Sequence, residues 1–482
     1  MTDQPRTRQE LYDRIQQIGR EAFILEEMIR YGFWPAQGEL PQDPADEIRR
    51  QGELRRELEE LRRESARLYN EQALRKQLLQ QRLAESRRKQ QETKERRERE
   101  RQQKAEAWQQ QKQQDILYLG AGVSGGLNNT NPNLERLQSY HLPLCHTAEE
   151  IAAAMEITVG QLRFLAFSRK TATTTHYIRF KIPKKTGGDR LISAPMPRLK
   201  KAQHWILTNI LEKLQLHAAA HGFRHNHSIV SNAQPHVGAD VIVNFDLKDF
   251  FPSISYQRVK GLFQSFGYSE AAATIFALLC TEPEIEEVEI DGKTYFVALT
   301  HRHLPQGSPA SPAITNLLCR RLDSRLTNMA EALGFTYTRY ADDLTFSAAG
   351  DSLRHICNVL RRTESIVAHE GFVINPEKTR ILRKNRQQEV TGIVVNQRVN
   401  ISKQELKRFR ATLYQIEKDG PEGKHWGNSA NVMASIQGYA NYVAMVNPEK
   451  GAEFQAQVKR IKKKYGRKKR QRKNNKNSRI IP

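Results

Sequence analysis

Apolar residues recur at helical spacing between positions 12 and 34, from Tyr12 to Trp34, and the pattern breaks at Pro41 and Pro44. It returns as Leu54, Leu61 and Leu68, seven residues apart, with Leu58 on a neighbouring face. From 86 to 106 it dissolves into Arg, Gln, Glu and Lys. Residues 1–115 are thereby expected to form a helical, highly charged extension. Its leucines suit either a short coiled-coil seam or a solvated helix lying along RNA or a partner protein. An apolar run from Ile116 then enters Gly120-Ala121-Gly122-Val123-Ser124-Gly125, but residues 128–133 are turn-rich where a dinucleotide fingerprint needs a helix. Dinucleotide binding is rejected, and 116–146 is expected to be a loop or linker.

From Thr147 to about residue 455 strands and helices alternate as in an α+β enzyme. Residues 149–155 and 160–165 predict a packed helix pair rather than base-reading helices. Residues 241–246 form an apolar run that ends in Asp246 and leads to a turn at Asp249. Residues 335–340 and 344–347 read as strands flanking Ala341-Asp342-Asp343. Ser311 and Pro312 look like the N-cap and first turn of a helix whose Ile314, Leu318 and Leu322 recur every four residues. Residues 180–192 predict a basic β-hairpin.

Composition adds a partner. The 482 residues suit two to four structural units. The 77 Lys and Arg against 54 Asp and Glu leave a formal charge of +23, which points to a polyanion. Residues 459–479 hold 13 Lys or Arg and no acid, so 457–482 is expected to be a flexible basic tail. Within it, residues 465–473 resemble an arginine-rich RNA-binding peptide, and phosphate attraction is the reading taken. Four cysteines without a CxxC pair argue against zinc and fit reduced thiols in the cytoplasm. No secretory h-region or membrane-length apolar run is present, so no membrane partner is expected.

The chemistry centres on carboxylates. Asp246 at a strand end leaves the core on a rigid backbone, whereas Asp249 reads as a cap. Asp342 and Asp343 at a hairpin tip repel each other unless a cation lies between them. Mg²⁺ takes carboxylate and phosphate oxygens, and two-metal phosphoryl transfer draws carboxylates from separate strands. The small Ala341 is expected to leave room for a substrate end. Gly307, ahead of the Ser311 helix, allows close backbone approach to a base pair, while Lys184 and Arg190 of the basic hairpin can contact a triphosphate.

In their order along the chain, the basic hairpin, the Asp246 strand, Pro305-Gln306-Gly307 and Tyr340-Ala341-Asp342-Asp343 resemble the motifs of reverse transcriptases. The resemblance implies an α+β right-hand polymerase: fingers at 147–240, palm at 241–395 and thumb at 396–456, the last including residues 438–443. It implies two Mg²⁺ ions on Asp246, the Leu247 backbone carbonyl, Asp342 and Asp343. By the same resemblance Phe251 excludes a 2′-hydroxyl, Gln306 and Gly307 lie near the nascent pair, and Arg190 meets the triphosphate. Asn375-Pro376-Glu377-Lys378 resembles the next palm motif, with Lys378 a candidate proton donor to pyrophosphate.

Asn232-Ala233-Gln234-Pro235-His236 and Val390-Thr391-Gly392 resemble segments of the retron subgroup, which implies a role for them in RNA recognition. That subgroup implies a structured non-coding RNA partner, dNTP substrates and DNA synthesis from an internal guanosine 2′-hydroxyl. The same resemblance implies a branched RNA–DNA product (msDNA) and a role in defence against phage, with a possible effector protein. The extension 1–115 would hold the product or dock the effector; the oligomeric state is left open. The alternatives are a group II intron or diversity-generating reverse transcriptase, or a non-catalytic RNA-binding scaffold.

Overall fold

The run Val241–Asp246 is buried at every position but Asn244, which is what a strand covered on both faces requires. In the computed structural model it is the central strand β4. The structure describes residues 7–18, 20–33, several positions between 54 and 65, 72–184, 187–427, 429 and 431–477. It divides into two units, 1–105 and 106–482. Among the described residues the strands are β1 (Thr171–Ala172), β2 (Tyr177–Pro183), β3 (Asp189–Pro195), β4 (Val241–Asp246), β5 (Ile285–Ile290), β6 (Lys293–Ala298), β7 (Thr336–Tyr340), β8 (Asp343–Ala348), β9 (Arg380–Arg383), β10 (Glu389–Val390) and β11 (Ile393–Val394).

The main sheet is antiparallel, in the order β7-β8-β4-β9. Side chains alternate across a strand, and β4 uses this to serve two cores. Val241, Val243 and Phe245 join a large core that includes Phe263, Phe276 and Phe346. Ile242 faces a second core built on Phe409, Ile436 and Val458. Asn244 and Asp246 share the face of Ile242, so the strand that joins the cores also aims Asp246. The flanking sheets are the hairpin β2-β3 and the three-stranded β1-β6-β5.

Local chemistry explains the helices. Thr147 with Glu150, and Thr158 with Gln161, form reciprocal capping boxes that start Ala148–Ala154 and Val159–Ala166. Glu270–Cys280 is buried at every position after Glu270, the signature of a helix inside a core. Ser311 is the first helical residue of Ser311–Leu318 rather than its cap; Ala310 is the N-cap and its side chain makes no capping bond.

Two segment expectations are corrected. Residues 116–146 are no linker: Ile116, Leu119, Leu127, Leu137, Leu142 and Cys145 are buried in the large core, and Leu134–Ser139 is helical. Residues 128–133 are not helical, as the sequence implied. Nor is the start of the basic tail flexible: helix Pro448–Asn477 continues through it, and Val458 and Ile461 are buried in the second core. Apolar residues at four- and three-residue spacing, Phe454, Val458 and Ile461, hold it there despite the charge between them.

In the unit 1–105, helices Arg8–Ile18 and Arg20–Arg30 are linked by an Arg14–Glu26 ion pair at 3.4 Å. Leu54, Leu58 and Leu61 are exposed. Leu68, Trp34, Pro41 and Pro44 lie outside the described residues. The long helix is Gln72–Gln114, polar on all sides and laced with i,i+4 pairs such as Arg88–Glu92 and Arg99–Glu95. No described helix is long and apolar enough to cross a membrane.

Phe409 sits at the centre of the second core, with ring centroids 4.6–5.1 Å from Tyr439, Trp426 and Phe454. Phe409→Ala is expected to cost about 3–5 kcal/mol. The check is the urea midpoint followed by Trp426 fluorescence; an unmoved midpoint would show that this core does not hold the C-terminal helices.

Candidate active site

The antiparallel register pairs Asp246 with Asp343 and Tyr340 with Asp343, leaving Ala341 and Asp342 as a two-residue hairpin loop. Such loops need positive φ, usually supplied by Gly or Asn; here Ala341 has φ +57°. A strained alanine persists only where its surroundings over-determine it. Arg339, wholly buried, supplies much of that restraint. Its Nε and Nη2 meet the Asp323 carboxylate oxygens at 2.7 Å each, and its Nη1 donates to Asn316 Oδ1 at 3.0 Å and to the Ala341 carbonyl at 3.2 Å. Tyr337 Oη donates to the same carboxylate at 2.9 Å. Burial opposes the Arg339 charge, but Asp323 overcomes it and holds the guanidinium protonated, above its ordinary pKa. Just past β4, the Leu247 N–H donates to the Asp342 carbonyl at 3.0 Å.

Ala341 does not leave an opening, as its size suggested; it is buried. Gly222 lies against it, so close that a Cβ there would meet the Ala341 nitrogen at 2.6 Å.

The electrostatics at the tip are unfavourable by construction. Burial, then the charges of Asp342 and Asp246, push Asp343 up to about 7. Burial, then Asp246, also raises Asp342, against the pull of Lys378 and Arg190. Lys378 Nζ holds both Asp246 oxygens, at 2.8 and 3.1 Å, and its own pKa is raised by that bond. Among the described residues no three His, Cys, Asp or Glu side chains form a ready-made coordination sphere. The donor set nevertheless fits a hard divalent cation: two carboxylates on paired strands and a third in the loop that joins one of them, with repulsion that such an ion would relieve.

Phe251 is half-buried, its ring 5.6 Å from Phe250 and 6.3 Å from Phe223, which itself lies 6.4 Å from Tyr340 of the hairpin. Gln306 and Gly307 dock on β3: the Ser193 N–H donates to the Gln306 carbonyl at 2.7 Å, and a Cβ on Gly307 (φ +119°) would meet Ser193 O at 2.8 Å. Ser308 extends the joint through Gln203 to Tyr177. The loop preceding the Ser311 helix is thus tied to the β2-β3 hairpin, where Arg190 and Lys184 are exposed near the hairpin's far end. Lys185 and Thr186 lie outside the described residues.

The expected RNA-recognition set is not one surface. Asn232, His236 and Val390 are buried, so their side chains are closed to a nucleic acid. His236 instead bridges the hairpin strands, with ring nitrogens 2.7 Å from Thr338 Oγ1 on β7 and Ser347 Oγ on β8. Burial lowers its pKa to about 3, so the ring is neutral there. Of this set Gly392 is exposed and Thr391 half-exposed, at the turn between β10 and β11; Thr391 Oγ1 donates to the Ile229 carbonyl at 3.5 Å. The sequence reading missed Arg339, Asp323, Asn316 and Gly222. An arginine inside the strand Thr336–Tyr340 was the available signal, since a charge there demands a buried partner.

With this geometry in view, comparison with known proteins assigns the class. Residues 182–395 match the family "Reverse transcriptase (RNA-dependent DNA polymerase)". The chain is an RNA-directed DNA polymerase, a class that depends on divalent metal in general. It is 40% identical over 375 residues to the retron Mx162 reverse transcriptase of Myxococcus xanthus, covering 74% of this chain and 76% of that protein. It is 41% identical over 323 residues to the retron Mx65 enzyme of the same organism, covering 67% and 74%. With the retron Ec86 reverse transcriptase of Escherichia coli it shares 33% over 336 residues, covering 70% and 95%. The chain belongs to the retron reverse transcriptase family.

Two expected outcomes follow from the geometry. Asp323→Asn strands the buried Arg339 charge and is expected to cost about 3–5 kcal/mol, read as a lowered thermal midpoint. Because the fold raises the Asp343 pKa above its ordinary value, stability falls as pH rises from about 4 to about 7 and is level above that. In chelator, Asp343→Asn should therefore gain stability on the parent between about pH 5 and 8, and added divalent cation should shrink that gain. A pH-independent difference between the two melting points would refute the repulsion.

Proposed function

We propose that this chain is a retron-type reverse transcriptase that binds a structured non-coding RNA and copies part of it into DNA. The observation that carries the reading is the cross-strand pairing of Asp246 with Asp343 at a hairpin tip that also presents Asp342. In this reading residues 147–240 are fingers, 241–395 palm and 396–456 thumb, with the β7-β8-β4-β9 sheet as the palm floor. Asp246, Asp342, Asp343 and the Leu247 carbonyl would hold two Mg²⁺ ions, which activate the attacking hydroxyl and neutralise the leaving pyrophosphate.

The chain's own groups do the rest. Arg190 and Lys184 bind the dNTP triphosphate from the β2-β3 hairpin. Gln306 and Gly307 support the nascent pair from a loop braced on β3. Phe251 excludes a 2′-hydroxyl. Lys378, protonated and within reach of the carboxylates, delivers a proton to pyrophosphate. The β10-β11 turn at Thr391 and Gly392 contacts the partner RNA, while Asn232, His236 and Val390 hold the framework behind it.

The identity with retron enzymes supports priming from an internal guanosine 2′-hydroxyl, a branched RNA–DNA (msDNA) product and a role in anti-phage defence. The unit 1–105 is available to hold that product or dock an effector protein, and the basic helix after residue 457 attracts phosphate.

The Asp342→Asn, Asp343→Asn double variant should lose DNA synthesis on co-purifying RNA by several orders of magnitude while retaining RNA binding. Synthesis by that variant would overturn the site; RNA binding without synthesis by the parent would favour a scaffold. Sequencing the nucleic acid that co-purifies tests the subgroup: one branched RNA–DNA species is expected, and heterogeneous RNA without covalent DNA would refute it.

A further inference from the structure

Beside the hairpin tip, the segment after Gly222 holds a residue in an unfavourable conformation. Phe223 has φ +55°, a left-handed backbone that bulky L residues avoid. Its position is imposed: Gly222 is packed against Ala341, and Asn316 Nδ2 donates to the Gly222 carbonyl at 2.8 Å. Core packing does not account for the side chain, because Phe223 is 51% exposed. Its ring faces Phe251 edge-on, centroids 6.3 Å apart at 63°, and lies 6.4 Å from Tyr340 at 37°. Phe251 also meets Phe250, a buried ring 5.5 Å from Phe372.

Phe251 thus contacts both a ring anchored in the core and a ring held out in solvent. A half-buried aromatic that rejects a substrate by bulk works only if it cannot rotate away, and two neighbouring rings restrict that freedom. We propose that Phe223 is a positioning residue for sugar selection: it backs Phe251 and thereby sets the preference for deoxynucleoside over ribonucleoside triphosphates. This rests on the reading of Phe251 as the residue that excludes a 2′-hydroxyl. Strain at Phe223 is tolerated because the same segment must also lie against the hairpin that carries Asp342 and Asp343.

The test compares kcat/KM for one dNTP and the matching rNTP on an RNA template, using the full chain and its Phe223→Gly, Phe223→Leu and Phe251→Ala variants. Phe223→Gly removes the ring and also relieves the backbone, which keeps the variant folded. Its dNTP-over-rNTP preference should fall about tenfold or more, the scale of one apolar pocket contact. Phe223→Leu should keep most of the preference, and Phe251→Ala should lose more than Phe223→Gly. Combining Phe223→Gly with Phe251→Ala should cost little beyond Phe251→Ala alone, because Phe223 acts through that ring. If Phe251→Ala loses the preference and Phe223→Gly keeps it, the inference is overturned while the reading of Phe251 stands. A Phe223→Gly enzyme that is merely slower, with an unchanged ratio, also overturns it. Full selectivity in Phe251→Ala would overturn both.

Discussion

A guanidinium buried beneath a hairpin is the constraint on which the active-site region turns. Arg339 lies within β7 and is met by both oxygens of Asp323, a residue of the helix Arg320–Ala332. Its remaining donor spans Asn316 and the Ala341 carbonyl. Buried ion pairs add little net stability, because desolvation offsets most of the attraction. What this one supplies is geometry. It fixes a strained two-residue turn, and through Asn316 it also fixes Gly222 against that turn. A hydrophobic replacement of equal volume would fill the space without holding the Ala341 carbonyl.

Around that point the sheet divides its labour by period. Odd residues of β4 enter the large core and even ones look toward the second core, ending with Asp246. A slip of one residue in the β4 register would exchange core and carboxylate faces, so packing energy enforces the position of Asp246. His236 adds a second restraint by holding Thr338 on β7 and Ser347 on β8 together. The hairpin tip is restrained because elements distant in the chain converge on it.

That rigidity is held against repulsion. Asp343 and Asp342 both sit above the ordinary carboxylate range, and Lys378 is drawn to Asp246. The fold stores unfavourable charge at this tip, and clustered, perturbed carboxylates of this kind mark a candidate functional site.

The sequence by itself determined a good deal. The apolar run ending at Asp246 and the adjacent Asp342 and Asp343 on a turn between strands are short-range patterns, legible because strand alternation and turn chemistry act over a few residues. Composition likewise settled the strong positive charge. Other assignments needed the tertiary structure. Residues 116–146 looked like a linker because a glycine-rich run leads into the turn-rich residues 128–133, yet the large core recruits their apolar residues one by one. The start of the basic tail looked flexible because charge outnumbers apolar residues, yet Phe454, Val458 and Ile461 suffice to seat a helix. His236 and Asn232 looked like surface recognition residues and are buried. The partners of Arg339 lie at Asp323 and Asn316, and those of Phe251 at Phe223 and Phe250. Contacts such as Arg339 to Asp323 and Phe251 to Phe223 join residues well apart in the chain, so no local pattern encodes them; only packing brings them within reach.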